Sequence, residues 1–304
     1  MPNYRRPATV ILLVLSHAVH TKAQDKPVTV GPDYRPRVEV QHTDFATARA
    51  TFKTQLRRIG PAPTEWGDVV VPAGASAITY PSGSLRLKAW LSLPADSKKH
   101  PAVLYLHSGF DFSEDSWDLV RPFREAGYVV MLPTMRGENG QHGVFTLYYD
   151  EVSDVVNAAD YLRNLSQVDP NRLFVTGYSV GGTLTMLASE LYSHFRAAAS
   201  ISGTPDVATY LKYAGRAPYN APFDPADTHE ALIRSPLAWA ESLKCPIRMY
   251  YGTDEDYFAI ATPAMAAAAQ GKGVDAKALT VKGDHGSIGE VSIALALAFF
   301  QQFH

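Results

Sequence analysis

Three features of this chain have the residue types and the order for covalent chemistry on a carbonyl: a serine between glycines, a carboxylate cluster and a late histidine. The serine is Ser179, in Gly177-Tyr178-Ser179-Val180-Gly181-Gly182. A hydroxyl is a weak nucleophile at neutral pH and needs an adjacent base. His285, in Val281-Lys282-Gly283-Asp284-His285-Gly286, precedes an apolar C-terminal run and is the candidate. Its role would be general base toward Ser179, then general acid toward the leaving group. An acid that orients this base is expected in Gly252-Thr253-Asp254-Glu255-Asp256-Tyr257-Phe258. The usual spacing of glycine, two residues, acid, two residues, apolar residue lands on Glu255. Aspartate is commoner in this role, so Asp254 and Asp256 stay open beside it.

These side chains need elements to position them. Arg172 to Thr176 reads as a strand and Thr183 to Tyr192 as a helix. Strand, sharp turn and helix around G-x-S-x-G make a nucleophile elbow, whose triad follows in the order Ser, acid, His. The main chain packs so closely there that small residues are needed two before and two after the serine. Backbone N–H groups must also face the charge that develops on the substrate oxygen. One is expected from Val180, the other from Phe110, in the His107-Ser108-Gly109-Phe110 loop after the buried strand Ala102 to Leu106. His107 is expected to orient that loop by hydrogen bonding. Further strands read over Leu85–Leu93, Tyr128–Leu132, Ala197–Ile201, Ile247–Tyr251 and Ala278–Val281, alternating with helices. That alternation implies a parallel, doubly wound α/β sheet, whose ligands bind beyond the carboxyl ends of the strands. Each candidate group lies just after a strand.

The stretch V-D-P-N-R-L-F-V-T-G-Y-S-V-G-G (Val168–Gly182) resembles the catalytic domain of the prolyl oligopeptidase (S9) family of α/β-hydrolases. So do the H-S-G-F loop, the Met135-Arg136-Gly137-Glu138-Asn139-Gly140 loop and the G-D-H segment, over roughly Leu85 to Phe303. The resemblance implies the α/β-hydrolase fold: a mostly parallel, doubly wound, eight-stranded sheet with helices on both faces. It also implies a serine hydrolase working through an acyl-enzyme. Within the chain there is no segment for the large propeller that restricts oligopeptidases to short peptides. Three functions are therefore weighed: hydrolysis of carboxylic esters, a small serine peptidase, and a non-catalytic binding protein of the same fold. The substrate expected is a small-molecule ester or a short peptide. Arg136 and Glu138 are expected either to contact it or to brace the loop after the fourth strand.

The remaining bounds are compositional. With 304 residues, a formal net charge of −2 and no long basic or acidic block, the sequence argues against nucleic-acid binding, which wants a basic face, and no such partner is expected. Its single cysteine, Cys245, can form no internal disulfide, and no Cys/His spacing suggests a metal or cofactor. Arg5-Arg6, the apolar run Ala8–Leu15 and small residues up to Ala23 read as a cleavable export signal, with a mature start near Gln24 in the periplasm or outside the cell. The apolar run is shorter than the about 20 residues a membrane span needs, so no integral membrane segment is expected in the mature chain. The organisation expected is a signal peptide (1–23), an N-terminal arm and helix (24–80) and a catalytic domain (81–304). Asp44 to Ile59 reads as one helix with Asp44 as N-cap. A cap-like insertion over 203–240 is expected to supply an aromatic substrate wall through Tyr210, Tyr213, Tyr219 and Phe223. No oligomeric interface is assigned.

Overall fold

The computed structural model describes residues 35–64, 69–213 and 221–303. The expected export signal over 1–23 lies outside these residues, as do Tyr219 and the Tyr213 side chain. Eight strands form one sheet: β1 (Ser76–Ser82), β2 (Leu85–Ser92), β3 (His100–Leu106), β4 (Val129–Pro133), β5 (Val168–Tyr178), β6 (Ala197–Ile201), β7 (Ile247–Gly252) and β8 (Ala276–Val281). Their spatial order is β1-β2-β4-β3-β5-β6-β7-β8. β2 is antiparallel to β1 and β4, and every later pairing is parallel. β4, β6 and β7 are buried along their whole length, as expected of parallel strands covered on both faces. The strand order reverses between β3 and β5, so a crevice opens beyond their carboxyl ends.

Helices cover both faces. α4 (Asp150–Arg163) and α5 (Val180–Leu191) pack on one face, with α8 (Phe258–Gln270). On the other lie α2 (Glu114–Leu119), α3 (Arg121–Glu125) and α9 (Gly289–Phe300), where Phe174 of β5 stacks on Phe300 at 4.6 Å. The short helices α6 (Val207–Tyr213) and α7 (Thr228–Ile233) and a 3-10 turn (Pro236–Ser242) lie between β6 and β7. α2 and α3 are separate helices because Pro122 has no N–H to continue the ladder past Val120. α1 is shorter than expected: it spans Phe45–Thr51, capped by Asp44 accepting from the Ala46 N–H. Beyond Phe52 the backbone finds tertiary partners instead. Gln55 N–H donates to Glu230, and the N–H groups of Arg57 and Arg58 donate to the Pro222 carbonyl.

Candidate functional site

Ser179 joins β5 to α5 with φ 56° and ψ −113°. A non-glycine residue held there stores of order 1–3 kcal/mol, so its surroundings must impose it. Its N–H is tied to the Ile201 carbonyl at 2.8 Å. The flanking glycines are steric necessities. A Cβ on Gly181 would lie 2.0 Å from the Leu106 carbonyl oxygen, and one on Gly177 2.4 Å from that of Gly181. The elbow therefore touches the end of β3 backbone to backbone. Val180 opens α5, so its N–H belongs to the turn whose donors have no intrahelical acceptor.

His285 comes from the loop between β8 and α9. Its Nε2 lies 3.0 Å from Ser179 Oγ and its Nδ1 2.6 Å from Glu255 Oε1. The imidazole lies nearly parallel to two neighbouring rings, Tyr178 at 5.3 Å and 24° and Phe258 at 6.1 Å and 22°. Glu255 is buried, and its Oε2 accepts from Gly252 N–H (2.5 Å) and Ser202 Oγ (2.7 Å). Asp254 and Asp256 are exposed. The Asp254 carboxylate accepts from the neighbouring Thr253 hydroxyl (3.2 Å), and its N–H donates to the Gly283 carbonyl. Of the three carboxylates, Glu255 is the one the fold brings to His285. The acid and histidine loops are also joined directly, by Thr253 N–H to the Val281 carbonyl and Gly283 N–H to Thr253 Oγ1. A carboxylate only accepts, so Nδ1 carries the proton and Nε2 offers its lone pair to the serine.

Phe110 sits in the loop after β3, and the loop after β4 grips this segment twice. Buried His107 meets buried Glu138, Nε2 to Oε2, at 3.0 Å. Asn139, at φ 43°, takes the Phe112 N–H (2.7 Å) and donates to its carbonyl (3.1 Å). Glu138 also accepts from Met135 N–H, and Arg136 is clamped on Asp154 by Nε at 2.9 Å and Nη2 at 2.7 Å. Both residues thus brace their loop. Burial works against the His107 cation, yet the Glu138 carboxylate leaves its pKa above the ordinary value. A raised folded-state pKa gives stability that is complete below about pH 6.5, the ordinary histidine value, and is lost as pH rises through the raised one. Thermal melts of the wild type should therefore weaken with rising pH above neutrality, and Glu138→Gln should be less stable at low pH with a flatter profile. Parallel profiles for the two proteins would contradict this.

Two groups near the serine escaped sequence reasoning. Ser202, just past β6 at φ 44°, holds the Glu255 carboxylate. The second is the corner Leu147–Tyr148, with φ 51° and 64°, two buried non-glycine residues in the left-handed region. Neither has a local sequence signature, since tertiary partners impose both. Of the expected aromatic wall, Tyr210 is part-buried and packs near Tyr257 and Phe258. Phe223 is fully buried, with the Arg234 guanidinium 4.1 Å from its ring centroid, and so packs inside instead of forming a wall. Among the described residues no group of His, Cys, Asp or Glu could hold a metal ion, and no helix is long and apolar enough to cross a membrane.

A mostly parallel eight-stranded sheet with a serine on a strained strand-to-helix turn defines the α/β-hydrolase fold, and the chain is a serine hydrolase. It belongs to the prolyl oligopeptidase family, whose model matches residues 115–303. An uncharacterized peptidase of Bacillus subtilis, YtmA, is 26% identical over 60% of this chain and 74% of its own length. The acylaminoacyl peptidase of Pyrococcus horikoshii superposes with a TM-score of 0.64 at 20% identity, over 75% of this chain and 41% of that one. The chain thus spans less than half of that peptidase. EstE1, a thermostable carboxylesterase from a metagenomic library, superposes with a TM-score of 0.62 at 16% identity, over 84% of this chain and 94% of its own.

Proposed function

We propose that this enzyme hydrolyses carboxylic esters through an acyl-enzyme on Ser179, with His285 as base and acid and Glu255 as the orienting carboxylate. One observation carries the reading: the continuous relay from Ser179 Oγ through His285 to Glu255, at 3.0 and 2.6 Å. In the first half-reaction Nε2 takes the serine proton as Oγ bonds to the acyl carbon. The carbonyl oxygen becomes an oxyanion facing the Val180 and Phe110 N–H groups. Collapse breaks the bond to the alcohol, which leaves with the proton from Nε2. Water then repeats the sequence, releasing the acid and restoring Ser179. Glu255 stays ionised and stabilises the transient imidazolium.

The choice of ester over amide rests on leaving-group chemistry. An alcohol departs with less help from the general acid than an amine does. Family membership supports the second reading, a small serine peptidase. The deciding measurement is kcat/KM for short p-nitrophenyl esters against aminoacyl and dipeptidyl p-nitroanilides. The esters should be turned over at least about a hundredfold faster; anilides cleaved as well as esters would establish the peptidase, since activated esters are intrinsically the easier substrates.

A further inference from the structure

The corner at Leu147–Tyr148 is strained and secured from several directions. Arg234, fully buried, donates from Nε to the carbonyls of Thr146 (3.1 Å) and Leu147 (2.7 Å). Its own position is fixed by the Glu230 carboxylate and by Thr54 Oγ1 at 2.8 Å. From the other side, the Glu151 carboxylate takes both the N–H and the hydroxyl of Thr146, each at 2.7 Å. Tyr149 donates its hydroxyl to the Phe52 carbonyl at 2.9 Å. Strain held by so many independent partners is found where a side chain must be aimed.

Tyr148 is aimed at the serine's surroundings. Its ring lies 6.5 Å from that of Phe110, in the loop after β3, and Phe110 in turn meets Phe145 edge-on at 5.0 Å. Its hydroxyl lies near the side chains of Thr183 and Tyr210. Thr183 is one helical turn beyond Ser179, whose carbonyl accepts its N–H at 3.0 Å. Tyr148 thus lies against the loop after β3 and the first turn of α5. The leaving group must depart toward His285, which protonates it, and the rings stacked on His285 are Tyr178 and Phe258. Tyr148 instead faces Phe110 and Thr183, and its ring contact is with Phe110 and not with the two rings beside His285.

We propose that Tyr148 closes the acyl pocket beside Ser179 and sets the longest acyl chain accepted, its ring held in place by the strained corner that Arg234 secures. This rests on the acyl-enzyme reading above. The test uses Tyr148→Gly, because glycine suits φ 64° while removing the ring, and Tyr148→Phe, which keeps the ring and loses only the hydroxyl. Should the glycine variant not fold, Tyr148→Asn replaces it, since asparagine also tolerates this region. The readout is kcat/KM for p-nitrophenyl acetate, butyrate, octanoate and dodecanoate, which share one leaving group. Removing the ring should raise the dodecanoate-to-acetate ratio by about tenfold or more, the scale of a few pocket methylenes, with the phenylalanine variant close to wild type. The relative rates of ethyl and p-nitrophenyl butyrate should not move. An unchanged chain-length ratio in the ring-less variant, or a shift in leaving-group preference instead, overturns the assignment. Fluorophosphonate labelling of the wild type separates the two layers: no label on Ser179 refutes the acyl-enzyme reading, whereas label with an unchanged ratio refutes only Tyr148.

Discussion

Replacing Ser179 by alanine should lower kcat by about a millionfold, the scale seen when a serine nucleophile is removed from a complete triad. The fold should survive, for a specific reason. Alanine keeps the Cβ and pays the same backbone cost at φ 56° that serine pays, while the tie from the residue 179 N–H to the Ile201 carbonyl is a backbone bond and stays. Only the hydroxyl, 3.0 Å from His285, is lost. Intact-mass spectrometry after fluorophosphonate treatment reads the result directly: one adduct on the wild type and none on the variant, at closely similar melting temperatures. An adduct of equal yield on Ser179→Ala would place the nucleophile elsewhere.

The elbow was legible in the sequence because its requirement is steric and local. Gly177 and Gly181 are demanded by carbonyl oxygens within 2.4 Å of any Cβ, so residue type alone reports the close approach. Alternating apolar runs made the parallel strands legible for the same kind of reason: burial on both faces leaves no choice of residue. The failures lie where tertiary partners decide. β1 is hidden in the sequence although Ile78 and Tyr80 alternate and Gly83 turns the chain into β2, because Pro81 breaks the strand pattern at an edge where it is tolerated. Residues 52–58 continue a helical periodicity, but the N–H groups of Gln55, Arg57 and Arg58 go to Glu230 and Pro222. Ser202 and Tyr148 carry no local signature at all. Positive φ at a serine or a tyrosine is imposed by what surrounds it, and Arg234, distant in sequence from residue 148, is a large part of that for Tyr148.

The carboxylate cluster separates sequence reasoning from structure most sharply, and it yields a decisive experiment. Asp254, Glu255 and Asp256 differ by one position each, and only the turn after β7 determines which faces inward. Glu255 is buried and the aspartates on either side are exposed. Glu255→Gln should reduce kcat by about 10⁴-fold, as expected when a triad histidine is held in the wrong tautomer. The direction follows from the site. Oε2 already receives two donors, Gly252 N–H and Ser202 Oγ, so the amide oxygen of the variant must stay there. Its NH₂ group is then forced against His285 Nδ1, 2.6 Å away in the wild type, and only a lone pair can meet it. The imidazole proton moves to Nε2, facing Ser179, and the base is lost although every ring and backbone position is preserved. Asp254→Asn keeps the Thr253 contact available on an exposed loop, and its kcat should stay within about twofold, the range of surface substitutions. Steady-state kinetics on one p-nitrophenyl ester, with circular dichroism on both variants, compares them. A collapse in Asp254→Asn with Glu255→Gln near wild type would mean that the loop rearranges in the working enzyme to present the other carboxylate.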